Sequence, residues 1–489
     1  MISDKKVING IVWKRINMRS VGHLLGVEFM HDLYNRHVQR INFIRFRNTI
    51  TTWKDGIVNS YAPEKDFDFL EKWFGEKFYS LDKTTIREFE LLLDSDRVFF
   101  NEQIKRFESL DLNVLSNLDL GLLLMDVQQY SLGELYKMNF VQAEYSITSA
   151  IKRILRENFN DDNIINEIFS KIITANIPTE SQKEEMAFYK IVSLKKDKST
   201  QIDDKFSKSL KKHFNDFAYM HCAYGEDPYK YDYYKNKFIE FDPTTKKLTP
   251  EEIENQILTL YESGKKSLSE LRNDKLNVLV PLMIKGGTFR DKNKASLGYT
   301  VKYKHKIFEE ISNRILETRD NLNFYLLSEI LKLFDTNIKV SQEILNKRKS
   351  DGVVLIRSEY MDTIFDFKVM DLSLPNKIEE KENINTLKGR CACSGYVEGI
   401  AKVVHTKADG VKIKEGDIMV AIGTDFDLMD AIHRSVGIIT EEGGLLSHAS
   451  VVCREMKKPC IIGVNNATGI IKDGDKIILD SKKGLVTIK

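Results

Sequence analysis

Residues 440–464, TEEGGLLSHASVVCREMKKPCIIGV, constrain the fold more tightly than any other stretch. Gly443 and Gly444 give a tight turn in which backbone approaches a ligand closely. Ser447 has the character of an N-cap, and it places His448 in the first turn of a short helix. Lys457, Lys458 and Pro459 end that helix with positive charge and a breaker, the order the macrodipole favours. Cys460 to Gly463 then read as a short buried strand. Two readings of His448 stand at this point. Backbone N–H groups and the positive end of a helix suit it to carrying a phosphoryl group. Local hydrogen bonds would equally make it an ordinary helix-capping histidine.

Around this stretch the signals alternate quickly. From Gly389 onward, strand-like segments at 396–404, 418–422, 436–440, 460–464, 476–480 and 484–488 surround helices near 427–434 and 448–457. That pattern predicts a compact α/β domain over 389–489. Residues 1–350 read differently, as helix after helix: apolar residues fall at helical spacing from Met18 to Arg47, and again over 66–78, 84–110, 115–157, 162–174, 204–222, 250–272 and 304–346. With only eight prolines in the chain, long helices are permitted. Loops are expected at Tyr61-Ala-Pro, Ile177-Pro-Thr, Phe241-Asp-Pro and Lys285-Gly-Gly-Thr, and Thr249-Pro250 marks a helix start. The expected fold class is multidomain: a large all-α N-terminal domain, a connector over 351–388, and a small α/β domain. Within the connector, Val353 to Ile356 is strand-like, while Pro375 to Lys388 has linker composition.

Composition removes several function classes. Lys and Arg number 74 against 72 Asp and Glu, a net charge of +2, so no global field attracts nucleic acid or an anionic membrane. The N-terminus MISDKKVING lacks an apolar stretch of signal-peptide type, and no apolar run is long enough to span a bilayer. Five cysteines (Cys222, Cys391, Cys393, Cys453 and Cys460) form no C-x-x-C pair, so no metal site is expected. Reduced cysteines in a cytoplasmic protein are the expectation. His405 and His433 have no motif around them and are expected at the surface.

The 440–464 stretch resembles the phosphohistidine, or swivelling, domain of phosphoenolpyruvate synthases, pyruvate phosphate dikinases and rifampicin phosphotransferases. Their T-x-x-G-G-x-x-S-H-A-[AS] core, followed by R-E and P, is matched by Thr440, Gly443, Gly444, Ser447, His448, Ala449, Ser450, Arg454, Glu455 and Pro459. Upstream, Gly389, Gly395, Gly399 and Gly416-Asp417 continue the match. Thr424 matches the threonine of a T-x-P turn, with Phe426 in place of the proline. The resemblance implies that His448 is phosphorylated on its imidazole, supported by Thr440, Gly443, Gly444, Ser447, Ser450, Arg454 and Thr424.

A looser resemblance links residues 1–350 to the helical domain that precedes the swivelling domain in these enzymes. It rests on Trp13 to Arg19, on the stretch from His213 through His221 to Glu226 and Asp227, and on Glu317 to Asp320 ahead of Phe324 and Tyr325. His221, Glu226 and Arg319 are its candidate acceptor-site residues; Arg15 and Arg19 could also bind an anion. Trp13, Phe324 and Tyr325 are expected in the core. Neither an ATP-grasp nor a TIM-barrel pattern is recognisable. The expectation is therefore a phosphotransferase that carries a phosphoryl group on His448 from a separate ATP-grasp protein to a small-molecule acceptor. ATP and Mg²⁺ would be bound at the donor. The rival is a non-catalytic phosphocarrier whose helical part is an interaction scaffold.

Overall fold

The computed structural model describes residues 5–8, 11–20, 49–54, 57–94, 102, 106–138, 141–195, 204–220, 230–241, 249–357, 362–366, 385–405, 407–424, 428–441, 447–464 and 466–489. The N-terminal portion is mainly helical and the C-terminal unit is α/β, as periodicity predicts. The N-terminal portion also holds a sheet that periodicity does not predict. Strands β1 (Lys5–Ile8), β2 (Ile11–Ser20), β3 (Thr49–Lys54), β4 (Ile57–Pro63), β5 (Val353–Arg357) and β6 (Asp362–Asp366) pair in the order β1-β2-β4-β3-β5-β6. Every pairing in it is antiparallel.

Three expectations are corrected here. Residues 18–20 of the expected Met18–Arg47 helix belong to β2, and 21–48 lie outside the described residues. Tyr61-Ala-Pro is the end of β4, not a loop. The connector's first part is no linker either: β5 pairs with β3, and Val353, Val354 and Leu355 are buried. The β-branched run of Thr49, Ile50, Thr51 and Thr52 is what places β3 inside the sheet.

The spine of the helical portion is a 42-residue helix, Asp274–Ile315, started by Asn273, whose side chain accepts from the N–H groups of Lys275 and Leu276. The expected loop at Lys285-Gly-Gly-Thr lies inside this helix, as does Pro281. Pro281 is exposed, on a face where water can take up the carbonyl that proline leaves without a partner. Helices Asn117–Met138, Val141–Arg156 and Lys83–Leu93 pack on the spine. Thr249 and Glu252 close a capping box on the helix Pro250–Glu270, the predicted start. Tyr325 is buried as expected, and Phe324 packs its ring against Trp53 at 5.2 Å.

The C-terminal sheet has eight strands: β7 (Thr386–Lys388), β8 (Arg390–Cys393), β9 (Tyr396–Val404), β10 (Ile418–Ala421), β11 (Gly437–Thr440), β12 (Cys460–Ile462), β13 (Lys476–Asp480) and β14 (Leu485–Ile488). Their order is β7-β14-β13-β9-β10-β11-β12-β8. Strands β9 to β12 run parallel; the outer pairings are antiparallel. All residues of β10, β11 and β12 are buried, the pattern of parallel strands covered on both faces. Helix Met429–Arg434 connects β10 to β11, and helix His448–Glu455 connects β11 to β12. Of the expected linker, 375–384 lies outside the described residues, and Thr386–Lys388 is strand β7. No helix among the described residues is long and apolar enough to cross a membrane.

Candidate functional site

The carboxyl ends of β10 and β11 create the site, the usual place for ligands in open parallel sheets. Beyond β10, the chain turns through Thr424. Beyond β11, fully buried Thr440 is followed, after residues that lie outside the described ones, by the helix His448–Glu455. Backbone hydrogen bonds pin the strand ends: the Glu441 N–H donates to the Ala421 carbonyl, tying β11 to β10, and the Val464 N–H to the Thr440 carbonyl, tying β12 to β11, both at 3.0 Å. Gly443 and Gly444 lie outside the described residues, as do Phe426, His221 and Glu226.

Ser447 is the N-cap, with extended backbone (φ −67°, ψ 160°), and its hydroxyl accepts from the Ser450 N–H at 3.4 Å. Ser450, buried beneath, brings its own hydroxyl to 3.1 Å from that of Ser447. This cap fixes where the helix starts, and therefore where His448 stands. The imidazole is half-buried, and its Nδ1 is 3.0 Å from Thr424 Oγ1. Thr424 and His448 come from two different strand–helix connections, and the parallel pairing of β10 with β11 is what joins them.

Arg454 sits in the last turn of the same helix, at the end away from His448. Its charge acts on the thiols of Cys391, Cys393 and Cys460. Arg319 begins a four-residue helix, where its guanidinium donates to the His305 carbonyl at 3.0 Å, contacts the His305 ring and covers the Phe308 ring. The neighbouring Glu317 accepts from Tyr325 Oη (3.0 Å) and Asn321 Nδ2 (2.8 Å). In this structure that phrase of the helical portion forms a local polar knot beside the buried Tyr325. Of Arg15 and Arg19, the described backbone shows only that both lie on β2.

Other polar groups were not singled out by sequence. The Glu441 carboxylate accepts from the Thr468 N–H at 2.7 Å and from its hydroxyl, tying the residue after β11 to the short helix Ala467–Ile470. Gly463 has φ +69°, and a Cβ there would lie 3.6 Å from the Arg390 guanidinium, so Arg390 stands at the same end of the sheet. In the helical portion, Lys304 is 3% exposed, and burial pushes its pKa down to about 7. His405 is exposed as expected. His433 is not a plain surface residue: its Nε2 is 3.2 Å from Glu185 Oε1 on the helix Glu180–Val192. Among the described residues, no group of three or more His, Cys, Asp or Glu side chains is placed to hold a metal ion.

Comparison with known proteins agrees with this geometry. Residues 413–484 match the family described as PEP-utilising enzyme, mobile domain. The probable phosphoenolpyruvate synthase of Archaeoglobus fulgidus is 39% identical over 108 residues, 22% of this chain and 14% of that protein. The phosphoenolpyruvate synthase of Pyrococcus furiosus is 40% identical over 110 residues, again 22% of this chain and 13% of the relative. The rifampicin phosphotransferase of Bacillus cereus is 28% identical over 192 residues, 38% of this chain and 21% of the relative. The chain thus aligns with between 13% and 21% of the length of these three relatives. The C-terminal unit of this chain thus carries, over residues 413–484, a match to the PEP-utilising enzyme mobile domain.

Proposed function

We propose that the chain is a phosphotransferase component in which His448 carries a phosphoryl group between a donor and an acceptor. The observation that carries this reading is the 3.0 Å contact between Thr424 Oγ1 and His448 Nδ1. A nucleophilic imidazole must be neutral, and one of its nitrogens must hold the proton. With Nδ1–H donating to the Thr424 hydroxyl, the lone pair is on Nε2. That nitrogen attacks phosphorus, an N–P bond forms, and the bond from phosphorus to the donor's leaving oxygen breaks. In the second step the acceptor's nucleophile attacks the same phosphorus, the N–P bond breaks with its electron pair returning to Nε2, and the proton of the acceptor group passes to solvent. The positive end of the His448–Glu455 helix favours the anionic phosphoryl group.

The donor in this reading is a separate ATP-grasp protein, which brings ATP and Mg²⁺. The acceptor is a small molecule held near the helical portion. The similarity to a phosphoenolpyruvate synthase and a rifampicin phosphotransferase supports the reaction class. Labelled ATP with the donor protein tests the reading: wild type incorporates an acid-labile, base-stable label, and His448→Ala incorporates none. Undiminished labelling of His448→Ala overturns the proposal. Mass spectrometry of small molecules from the same incubation separates the two roles: a phosphorylated product marks an enzyme, and label that stays on the protein marks a carrier.

A further inference from the structure

The ends of three strands meet at one acid. Glu441 directly follows β11, and its N–H donates to the carbonyl of Ala421, the last residue of β10, at 3.0 Å. Thr424 lies just beyond Ala421 on the same connection. The Glu441 carboxylate reaches the other way. Its Oε1 accepts from the Thr468 N–H at 2.7 Å and from the Thr468 hydroxyl, on the short helix Ala467–Ile470 that follows β12. Backbone closes the circle: the Val464 N–H donates to the Thr440 carbonyl (3.0 Å), and the Ala467 N–H to the Val464 carbonyl (3.3 Å). One residue therefore joins the connections that leave β10, β11 and β12.

The short helix needs this contact. The first N–H groups of a helix have no partner within it, and an N-cap side chain commonly takes one of them. Asn466 stands at the N-cap, yet its backbone is left-handed (φ 51°) and its side chain makes no capping hydrogen bond. Its carboxamide lies over Gly469 instead, where a Cβ would collide with it. Glu441, 27 positions before Thr468, supplies the missing acceptor from another connection. Because that acceptor is a carboxylate, the hydrogen bonds are charge-assisted and about twice as strong as neutral ones. The helix is itself well anchored: Ala467 is fully buried, and Ile471 just beyond it is 1% exposed. Glu441 is thus tied to a fixed point of the domain.

We propose that Glu441 and Thr468 form a positioning clasp for His448. The connection from β11 to the helix His448–Glu455 is fixed at both described ends, by this clasp at Glu441 and by the cap at Ser447. Through Ala421, the clasp also ties that connection to the one bearing Thr424. It thereby holds the Thr424 hydroxyl and the imidazole in register. Their 3.0 Å contact then keeps the proton on Nδ1 and the lone pair on Nε2. Glu441 touches no reacting atom; it acts through Thr424 and His448. The clasp rests on the proposed function only for the direction of the Thr424–His448 hydrogen bond.

The imidazole tautomer tests the clasp on the full chain, without any phosphoryl transfer. Protein labelled with ¹⁵N-histidine is studied by NMR at about pH 8.5, well above the ordinary imidazole range, and His448→Gln assigns the His448 signals. Wild type is expected to hold Nδ1–H as its major tautomer. Thr468→Val keeps the shape and the N–H but removes one of the two donors, and Glu441→Gln removes the charge. Each should move part of the population to Nε2–H and slow label incorporation about threefold to tenfold. Thr468→Ser keeps both donors and should restore the wild-type signals and rate. In a Thr424→Val background neither substitution should slow the reaction further, since the contact that the clasp holds is already absent. An unchanged tautomer in both Thr468→Val and Glu441→Gln overturns the clasp, even where the melting temperature falls, because a merely structural contact would lower stability alone. Rate losses that add to that of Thr424→Val overturn it as well. Tautomers that shift as expected, in a protein that takes no label at all, uphold the clasp and remove the phosphoryl-transfer reading instead.

Discussion

In the proposed reaction Thr424 would act only through His448, which makes it a positioning residue with a separable signature. Thr424→Val keeps the shape and removes the hydroxyl that Nδ1 contacts. Losing one such hydrogen bond costs about 1–1.5 kcal/mol, so phosphorylation of His448 should slow about tenfold. Thr424→Ser retains the hydroxyl and should stay close to the wild-type rate. Initial rates of label incorporation measure both; equal rates for the valine and serine variants would assign the contact a merely structural role. The sequence made the parts of this site legible to different degrees. Ser447 and His448 could be read from N-cap chemistry, because a cap and its first turn are local. Thr424 came only through a resemblance, since its partner is 24 positions away and the parallel β10–β11 pairing brings them together. The His433–Glu185 contact spans 248 positions and joins two domains, which no local pattern encodes.

At the scale of elements, period and turn chemistry located most of the C-terminal unit, because β10 to β12 are short apolar runs bounded by glycine, proline and charge. The N-terminal strands escaped. In β2, Ile11-Val-Trp-Lys-Arg-Ile-Asn-Met mixes apolar and charged residues without strict alternation, and the six-stranded sheet closes only when β5, some 300 residues later, pairs with β3. The β-branched run in β3 was a local signal left unused, and the strand-like Val353 to Ile356 of β5 was read only as part of a connector. The long Asp274–Ile315 helix was misread for the opposite reason. Pro281, Gly286 and Gly287 weaken a helix locally, yet packing on three neighbouring helices overrides them. One glycine in it is required by contact. A Cβ on Gly298 would lie 2.0 Å from the Tyr219 carbonyl oxygen and 2.9 Å from its carbon. Gly298→Ala should therefore destabilise the protein by about 1–3 kcal/mol, despite alanine's better helix propensity. Gly75, in helix Glu64–Tyr79, has nothing within 4 Å of its Cβ position, so Gly75→Ala should stabilise by up to about 1 kcal/mol. Urea midpoints of the two variants should move in opposite directions, and a common direction would contradict this packing account.

For the whole molecule, one imidazole must serve two sites if the proposed function holds. Between Asp366 and Asn385 the chain could reach at most about 60 Å when extended, enough for the mobile domain to travel between neighbouring modules. The seat on the helical portion is then one of at least two poses. Fixing it should separate the two half-reactions, and the Glu185–His433 contact offers the place to do so. With Cys222 replaced by serine, Glu185→Cys and His433→Cys can be bridged by a short thiol-specific reagent. The native thiols near the seam compete poorly: burial is the first cause that pushes Cys391 up to about 11 and Cys393 up to about 12, so little thiolate exists at neutral pH. The bridged protein should keep one half-reaction, either labelling of His448 by the donor or transfer from pre-labelled His448 to the acceptor. The other should slow by at least tenfold, and cleaving the bridge should restore it. Whichever half-reaction survives assigns this seat to the donor or the acceptor side. A bridged protein that performs both steps at the wild-type rate would show that the phosphoryl group reaches both sites without movement of the domain.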